Sequence, residues 1–221
     1  MIEVAFRAHE NEHWKRVTEE DVVRVIDEQV IVVANAYADG WSSFWPEGSR
    51  AVLDLFTERW RATGDLEASF AHVRLEFHAR ATSVLGRDDS DDDWGGEPGA
   101  SLLVARFESD QVDVLWIGEQ HLVVVRDGVV VSRTQPDTLV EMGRAQGFDY
   151  GDSPHKHVIT RCIRPGDILP PHDARFQLKK GDRVIIASEA IDGAISGETP
   201  PDVLEKLPRD KFECVVFVEC K

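Results

Sequence analysis

Residues 179–204 read KKGDRVIIASEAIDGAISGETPPDVL. A turn at residues 180–182 leads into Arg183–Ala187, a run of mainly β-branched apolar residues bounded by turn residues, and this pattern predicts a buried strand. Ser188 and Glu189 follow directly, so a carboxylate leaves the core at the end of a rigid element. Metal ligands and catalytic acids tend to occupy such positions, but a solvated glutamate at a strand end has the same local sequence. Residues elsewhere in the sequence are needed to distinguish these two interpretations.

Length and charge narrow the class of protein. The 221 residues carry a net charge of -16 and are 42% hydrophobic, which is enough for one substantial core, so we expect a single domain over residues 1–221. The negative charge argues against binding to nucleic acid phosphates and against an anionic membrane surface. No window is apolar enough for a membrane span or a signal peptide, and the three cysteines form no CxxC pair. We therefore expect a cytoplasmic protein.

The order of predicted elements favours antiparallel sheets with separate helices. Pro46 suits the first position of a helix, Gly64 ends that helix, and Asp65 can cap the next one, so an antiparallel helix pair follows the first strands. Its two apolar stripes are Val52, Leu55, Phe56 and Trp60, then Leu66, Phe70, Val73, Phe77 and Val84. The predicted strands are residues 2–8, 22–26, 30–34, a meander of 101–107, 112–117, 121–126 and 129–133, and then 158–163, 173–178, 183–187 and 212–219, with a short helix at 138–146. Strands and helices do not alternate, which argues against a doubly wound parallel sheet.

Polar residues stand at the ends or margins of several predicted strands. They lie in eight segments, in this chain order: RVTEED at 16–21, VVAN at 32–35, GEQH at 118–121, RDG at 126–128, VITR at 158–161, GDR at 181–183, SEA at 188–190 and RDK at 209–211. Each is unremarkable alone, but taken in this order the segments resemble the PPM-type family, the metal-dependent serine/threonine phosphatases of type 2C. The resemblance covers nearly the whole chain, so it implies an α+β fold, a four-layer α-β-β-α sandwich of two antiparallel sheets flanked by antiparallel helix pairs.

The resemblance also implies roles for individual residues. Arg16 would contact the substrate phosphate. The metal ligands, for Mn or Mg, would be Glu20, Asp21, Asn35, Glu189 and Asp210. An alternative places Asp39, in Asp39-Gly40, at the position that bridges two metal ions, in place of Asn35.

Several of these positions depart from the family pattern. Asn35 stands where the family has the bridging Asp of Asp-Gly-x-Gly-Gly, Glu189 is one methylene longer than the family Asp, and Ala36 and Ala190 replace glycines. Two divalent ions about 4 Å apart repel by on the order of 15 kcal/mol even at an effective dielectric near 20, and a neutral amide offsets little of this. We therefore expect one bound ion or none.

Two functions follow from this pattern. The first is a non-catalytic or very weakly active pseudophosphatase in signalling, which binds a phosphorylated protein or regulates a kinase or phosphatase. The alternative is an active but divergent Mn- or Mg-dependent serine/threonine phosphoprotein phosphatase, a phosphomonoester hydrolase. It would use Glu20, Asp21, Glu189 and Asp210 as its metal ligands, together with Asp39 in the alternative alignment.

Two further groups of residues each have two possible interpretations. His155, His157 and His172 are close enough in sequence for a zinc site, but they lie in polar segments, which favours solvated histidines. The aromatic residues Trp41, Phe44 and Trp45 could form an exposed docking patch, or they could fold onto the helix pair.

Overall fold

A computed structural model describes residues 2–7, 22–38, 45–85, 97–148, 158–164, 170–187 and 213–220. The elements within these residues are β1 (Ile2–Arg7), β2 (Val23–Ile26), β3 (Val30–Tyr37), α1 (Pro46–Thr63), α2 (Leu66–Leu85), β4 (Gly99–Phe107), β5 (Gln111–Ile117), β6 (His121–Arg126), β7 (Val129–Arg133), α3 (Leu139–Ala145), β8 (His172–Gln177), β9 (Arg183–Ala187) and β10 (Glu213–Glu219). In this part of the chain, no helix is both long and apolar enough to cross a bilayer.

The strands form two five-stranded antiparallel sheets. Sheet A has the order β1-β10-β9-β6-β7, and sheet B has the order β2-β3-β4-β5-β8. The described chain is therefore α+β, with two antiparallel sheets and three helices, as the sequence predicts. The strand bounds agree closely as well, and β6, β7 and β9 begin and end at the predicted residues.

The helix pair α1 and α2 covers one face of sheet B. Alternate residues of β3, Val30, Val32 and Ala34, pack against the buried side chains of Phe56, Phe70 and Phe77 in one core cluster. Gly64 ends α1 in the left-handed conformation, with φ 62°, and its N–H donates to the Trp60 carbonyl at 2.7 Å. The Asp65 carboxylate then accepts a hydrogen bond from the Ala68 N–H at 2.9 Å and so caps α2. The buried stripe of α2 ends at Ala81, because Val84 is exposed.

A second core cluster lies between the two sheets. Residues Ile31 and Val33 alternate with those facing the helices, and they pack in one cluster with Val184 and Ile186 of β9. The opposite face of β9 is also buried, at Ile185 and Ala187. The strand that follows the turn at residues 180–182 is therefore covered on both faces, as predicted.

Three sequence predictions need correction. The strand or turn-strand predicted at 158–163 forms only two isolated bridges, because one of its ends bonds to β4 and the other to the residue before α3, not along one neighbouring strand. The four strands β4 to β7 are not one meander: β4 and β5 pair in sheet B, whereas β6 and β7 pair in sheet A. The cause is the three-residue link between Ile117 and His121, which carries the chain from one sheet to the other. The third strand also does not end at Ala34 but continues to Tyr37, so Asn35 lies inside it.

Candidate functional site

The link at residues 118–120 marks one end of the sandwich, which we call the crossover end. In sheet B the link follows the last residue of β5, beside the pair of Asn35 with Ser101. In sheet A the link precedes His121, which is paired with Ala187, the last residue of β9. The ends of β3, β5 and β9 and the beginnings of β4, β6 and β10 therefore meet at the crossover end.

Asn35 is the one predicted metal ligand that the described residues include. Its side chain is 3% exposed and lies on the face of β3 that points between the sheets, as do Val33 and Ile31. The amide Nδ2 donates a hydrogen bond to Glu119 Oε1 at 3.1 Å, and the Tyr37 hydroxyl donates to the same oxygen. Two donors from β3 therefore hold one oxygen of a carboxylate that belongs to the crossover link.

The backbone that carries Glu119 is held tightly. Gly118 has φ 102°, and a Cβ at this position would lie 2.1 Å from Ser101 Oγ, so only glycine fits. Asp137 clamps both backbone groups of Gly118, because its Oδ2 accepts from the Gly118 N–H at 3.0 Å and its own N–H donates to the Gly118 carbonyl at 2.8 Å. The other carboxylate oxygen of Asp137 lies 2.8 Å from His172 Nε2. The backbone next to Glu119 is therefore held in a fixed position.

Gln120 is the most deeply buried polar residue of the link. Its exposed fraction is 0%, and within the described structure neither amide atom has a hydrogen-bond partner. It precedes Leu122 by two residues, and Leu122 packs in the cluster between the sheets. An amide without partners in such a place costs free energy, since it loses its hydrogen bonds to water.

Among the described residues of the crossover end, no group of three or more His, Cys, Asp or Glu side chains is close enough together to hold a metal. One of the two alignments suggested by the sequence places Asn35 at the family's bridging acid, and here its neutral amide donates a hydrogen bond to Glu119. A carboxylate oxygen that already accepts two hydrogen bonds has less lone-pair capacity left for a cation.

The other predicted site residues, Arg16, Glu20, Asp21, Asp39, Glu189 and Asp210, lie outside the described residues. His155, His157, Trp41 and Phe44 do so too. Their predicted roles stay predictions.

Two further candidates are described. His172 stacks on Trp116, with ring centroids 5.1 Å apart, and contacts Asp137. Trp45 is buried in the core of the helix pair, where its ring lies against Gly48, so it is no exposed docking residue.

Sequence reasoning missed Glu119, Tyr37 and Gln120 as members of the site. A signal for Tyr37 was present, because Ile31, Val33, Asn35 and Tyr37 alternate and so share one face if the strand continues. Glu119 was recognisable only as the residue at the place of the family Asp in Gly-Asp-Ser-Arg.

The resolved pKa shifts of acidic groups belong to ion pairs elsewhere in the sandwich. At the opposite end of sheet A, a hydrogen bond from Arg126 lowers the pKa of Asp182 against the effect of burial. In sheet B, burial raises the pKa of Asp113, but hydrogen bonds from Arg175 and Arg106 outweigh it and hold the pKa below its ordinary value. These pairs stabilise the fold and do not reach Glu119.

Comparison with known proteins gives a sequence relative and a set of similar structures. A scan against protein families finds no matching family. The serine/threonine protein phosphatase PstP of Mycobacterium tuberculosis is 26% identical over 113 residues, which are 49% of this chain and 21% of that protein. This chain therefore matches about a fifth of that relative's length.

The structural likeness covers nearly the whole chain. The catalytic domain of PstP, solved in complex with two manganese ions, superposes with a TM-score of 0.68 at 20% identity, over 98% of this chain and 96% of that one. The PPM Ser-Thr phosphatase MsPP from Mycobacterium smegmatis, in complex with cacodylate, gives 0.70 at 18% identity, over 100% and 98% of the two chains. The serine/threonine phosphatase of S. agalactiae gives 0.68 at 16% identity and covers 100% of each chain. The resemblance that the sequence motifs indicate is confirmed at the level of the fold.

Proposed function

We propose that this chain, which has the fold of the PPM-type serine/threonine phosphatases, is a non-catalytic or very weakly active pseudophosphatase that regulates a signalling protein. The observation that carries the proposal is the hydrogen bond from the buried Asn35 amide to Glu119. It occupies the strand position at which the phosphatases of this fold would carry a metal-bridging carboxylate. The chain would then use the fold for binding and not for hydrolysis.

The electrostatics of the crossover end support this proposal. Two divalent ions need bridging negative charge between them, and a neutral amide supplies none. In addition, the Asn35 N–H and the Tyr37 O–H compensate the charge of Glu119 by hydrogen bonding, which is the role a cation would otherwise play. We therefore propose one Mn or Mg ion or none, in contrast to the two manganese ions bound by the catalytic domain of PstP.

Chain connectivity supports the roles of the remaining predicted residues. Glu189 follows the last residue of β9 by two positions, and Asp21 directly precedes Val22, whose carbonyl accepts from the Ala34 N–H at 2.9 Å. Their described neighbours Val22 and Ala187 lie at the crossover end, and we therefore propose that Asp21 and Glu189 contribute to a site there. With Glu20, Asp210 and the phosphate-binding Arg16, they complete the proposed site.

Burial on sheet A supports the four-layer arrangement. Val123, Ile185 and Phe217 lie on the face of sheet A that points away from sheet B, and all three are buried. A sheet face buried in this way needs a covering layer, as a second helix pair would provide. We include this layer, over one domain of residues 1–221, in the proposal.

The proposed partners are a phosphorylated protein or a kinase or phosphatase, in the cytoplasm. PstP is a serine/threonine protein phosphatase, and this chain would have kept the fold while its metal position changed. Neither nucleic acid nor a membrane surface suits a chain of net charge -16.

One observation favours the alternative, an active divergent phosphatase. Glu119 brings a carboxylate within 3.1 Å of the Asn35 amide, so negative charge is present next to the altered position. Together with Glu20, Asp21, Glu189, Asp210 and Asp39, it could provide a different ligand set for Mn or Mg.

Turnover of an aryl phosphate with added Mn²⁺, alongside calorimetric titration of Mn²⁺, tests the proposal. We expect no turnover above the buffer rate and no two-site isotherm. Fast turnover that is lost in the Asp210→Ala variant would establish the active alternative. A two-site isotherm without turnover would also contradict the proposed metal stoichiometry.

A further inference from the structure

The edge strand β7 exposes apolar side chains at three consecutive positions. Val129, Val130 and Val131 are 63%, 40% and 44% exposed, and they are consecutive in sequence. Among the described strands β7 pairs only with β6, so β7 is an edge strand of sheet A. An exposed edge with β-branched apolar side chains is a template for pairing with another strand.

The edge strand β8 of sheet B shows the opposite pattern. In β8 the exposed residues are Asp173, Arg175 and Gln177, alternating with partly buried ones. Charged and polar side chains of this kind protect an edge from association. Because β7 lacks this protection at three consecutive residues, its apolar character needs an explanation other than its place at an edge.

The apolar surface continues from β7 onto α3 and its flanking residues. Arg133 at the end of β7 contacts Glu141 of α3, which is followed by the exposed Met142. Two further exposed residues flank α3: the Phe148 N–H donates to the Gly143 carbonyl, and the Val158 carbonyl accepts from the Leu139 N–H. Six of the nine large apolar side chains that are exposed in the described structure belong to this β7–α3 surface. Such concentration is typical of an interaction surface.

Charge helps to identify the occupant. Residues 126–164 contain six basic and five acidic residues, whereas the whole chain has a net charge of -16. Two copies of so acidic a protein repel through most of their surface. The β7–α3 surface belongs to this nearly neutral part of the sequence, so two copies that meet there repel each other less.

The geometry of β7 also suits a second copy. If two β7 strands pair antiparallel about Val131, then Val129 lies opposite Arg133 and Val130 lies opposite Ser132, so no like charges face each other. The aliphatic stem of Arg133 can cover Val129 of the other copy. An isologous contact of this kind is the commonest form of homodimer.

We infer that β7 is the strand through which two copies of this chain associate, edge to edge, into a weak symmetric dimer. The association is weak because five residues of one strand form a small interface, and because a bulge leaves Val131 outside the register with β6. The inference is independent of the proposed pseudophosphatase function, since β7 supplies none of the proposed site residues.

Sedimentation equilibrium of the full chain from about 5 to about 500 µM tests the inference, since weak dimers populate over this range. We expect a monomer–dimer equilibrium that strengthens when NaCl is raised from about 50 to about 500 mM, because the Debye length falls from roughly 14 to roughly 4 Å and the net repulsion is screened. A monomer throughout the concentration series, or a dimer that weakens with salt, would overturn it.

Two variants and a matched control locate the contact. Val130→Lys and Val129→Lys each place a charge on the exposed edge and should weaken association by about tenfold or more. Leu75→Lys changes an apolar side chain on α2 that is 78% exposed, and it should leave the dissociation constant unchanged. Equal weakening by Leu75→Lys, or no weakening by either β7 variant, would place the contact elsewhere. Unchanged melting temperatures identify variants that are folded.

Discussion

Replacing Asn35 by aspartate is the most direct perturbation of the crossover end. The amide Nδ2 lies 3.1 Å from Glu119 Oε1, so Asn35→Asp sets two carboxylates against each other at that distance. At an effective dielectric near 20 their repulsion is about 5 kcal/mol, and one charge-assisted hydrogen bond worth about 1.5–3 kcal/mol is lost. Glu119 is partly exposed, and solvent screening reduces the sum. We expect a loss of about 3 kcal/mol in the free energy of unfolding at pH 7.5.

Thermal unfolding in EDTA measures this loss. For a domain of this size about 3 kcal/mol lowers the melting temperature by about 6–12 °C. Added Mn²⁺ should raise the melting temperature of Asn35→Asp more than that of the unaltered protein, since a cation relieves the same repulsion.

A double-mutant cycle shows whether the effect belongs to this contact. Glu119→Gln alone removes the charge and should cost about 1 kcal/mol. In the double variant Asn35→Asp/Glu119→Gln, donor and acceptor are exchanged, and at least half of the loss should be recovered. If Asn35→Asp melts within about 1 °C of the unaltered protein in EDTA, or if the double variant recovers nothing, the contact with Glu119 is not what fixes the crossover end.

Three further predictions concern stability. Asp182→Asn should lower the free energy of unfolding by about 2 kcal/mol at pH 7. The difference should begin to shrink below about pH 4 and vanish only below the lowered pKa of Asp182 in the native state, because the carboxylate stabilises the fold only while it is ionised. Gly118→Ala should lower the free energy of unfolding, measured by chemical denaturation, by about 2–5 kcal/mol, since it adds a clash to backbone strain. Gly181→Ala, at a residue with φ 87° and open space around it, should lower it by about 1–2 kcal/mol through the strain alone. Gln120→Met should raise the melting temperature by about 2–6 °C, because it removes a buried amide without partners, and a lower melting temperature would show that the amide is satisfied.

The sequence was a good guide to local structure. The Asp127–Gly128 turn between two Val-rich runs predicts the β6–β7 hairpin, and both residues adopt positive φ as such a turn requires. The sheet that each hairpin joins depends instead on long-range packing. The link at residues 118–120 has the length of an ordinary turn, and nothing in its composition shows that it crosses between sheets.

The candidate site was harder to predict than the fold. The sequence predicts a strand that ends at Ala34, and asparagine is depleted in strands. Asn35 lies inside the strand because two residues that are distant in sequence hold it there. Ser101 pairs with it across the sheet, and Glu119 accepts a hydrogen bond from its side chain. A partner that comes from another sheet edge cannot be found from local propensity, and the same reason hid Tyr37.

Whether a metal ion neutralises the Glu119 carboxylate determines which kind of partner the crossover end can bind. A phosphoryl group carries a charge of about -2, and at about 4 Å from an uncompensated carboxylate it is repelled by about 8 kcal/mol at an effective dielectric near 20. Hydrogen bonds from Asn35 and Tyr37 compensate that carboxylate in part but supply no net positive charge. Without a cation, the crossover end is therefore a poor place for a phosphate even with Arg16 nearby in the proposed site. A metal-free protein would consequently recognise a kinase or phosphatase through its surface, and recognition of a phosphorylated protein would require the single ion.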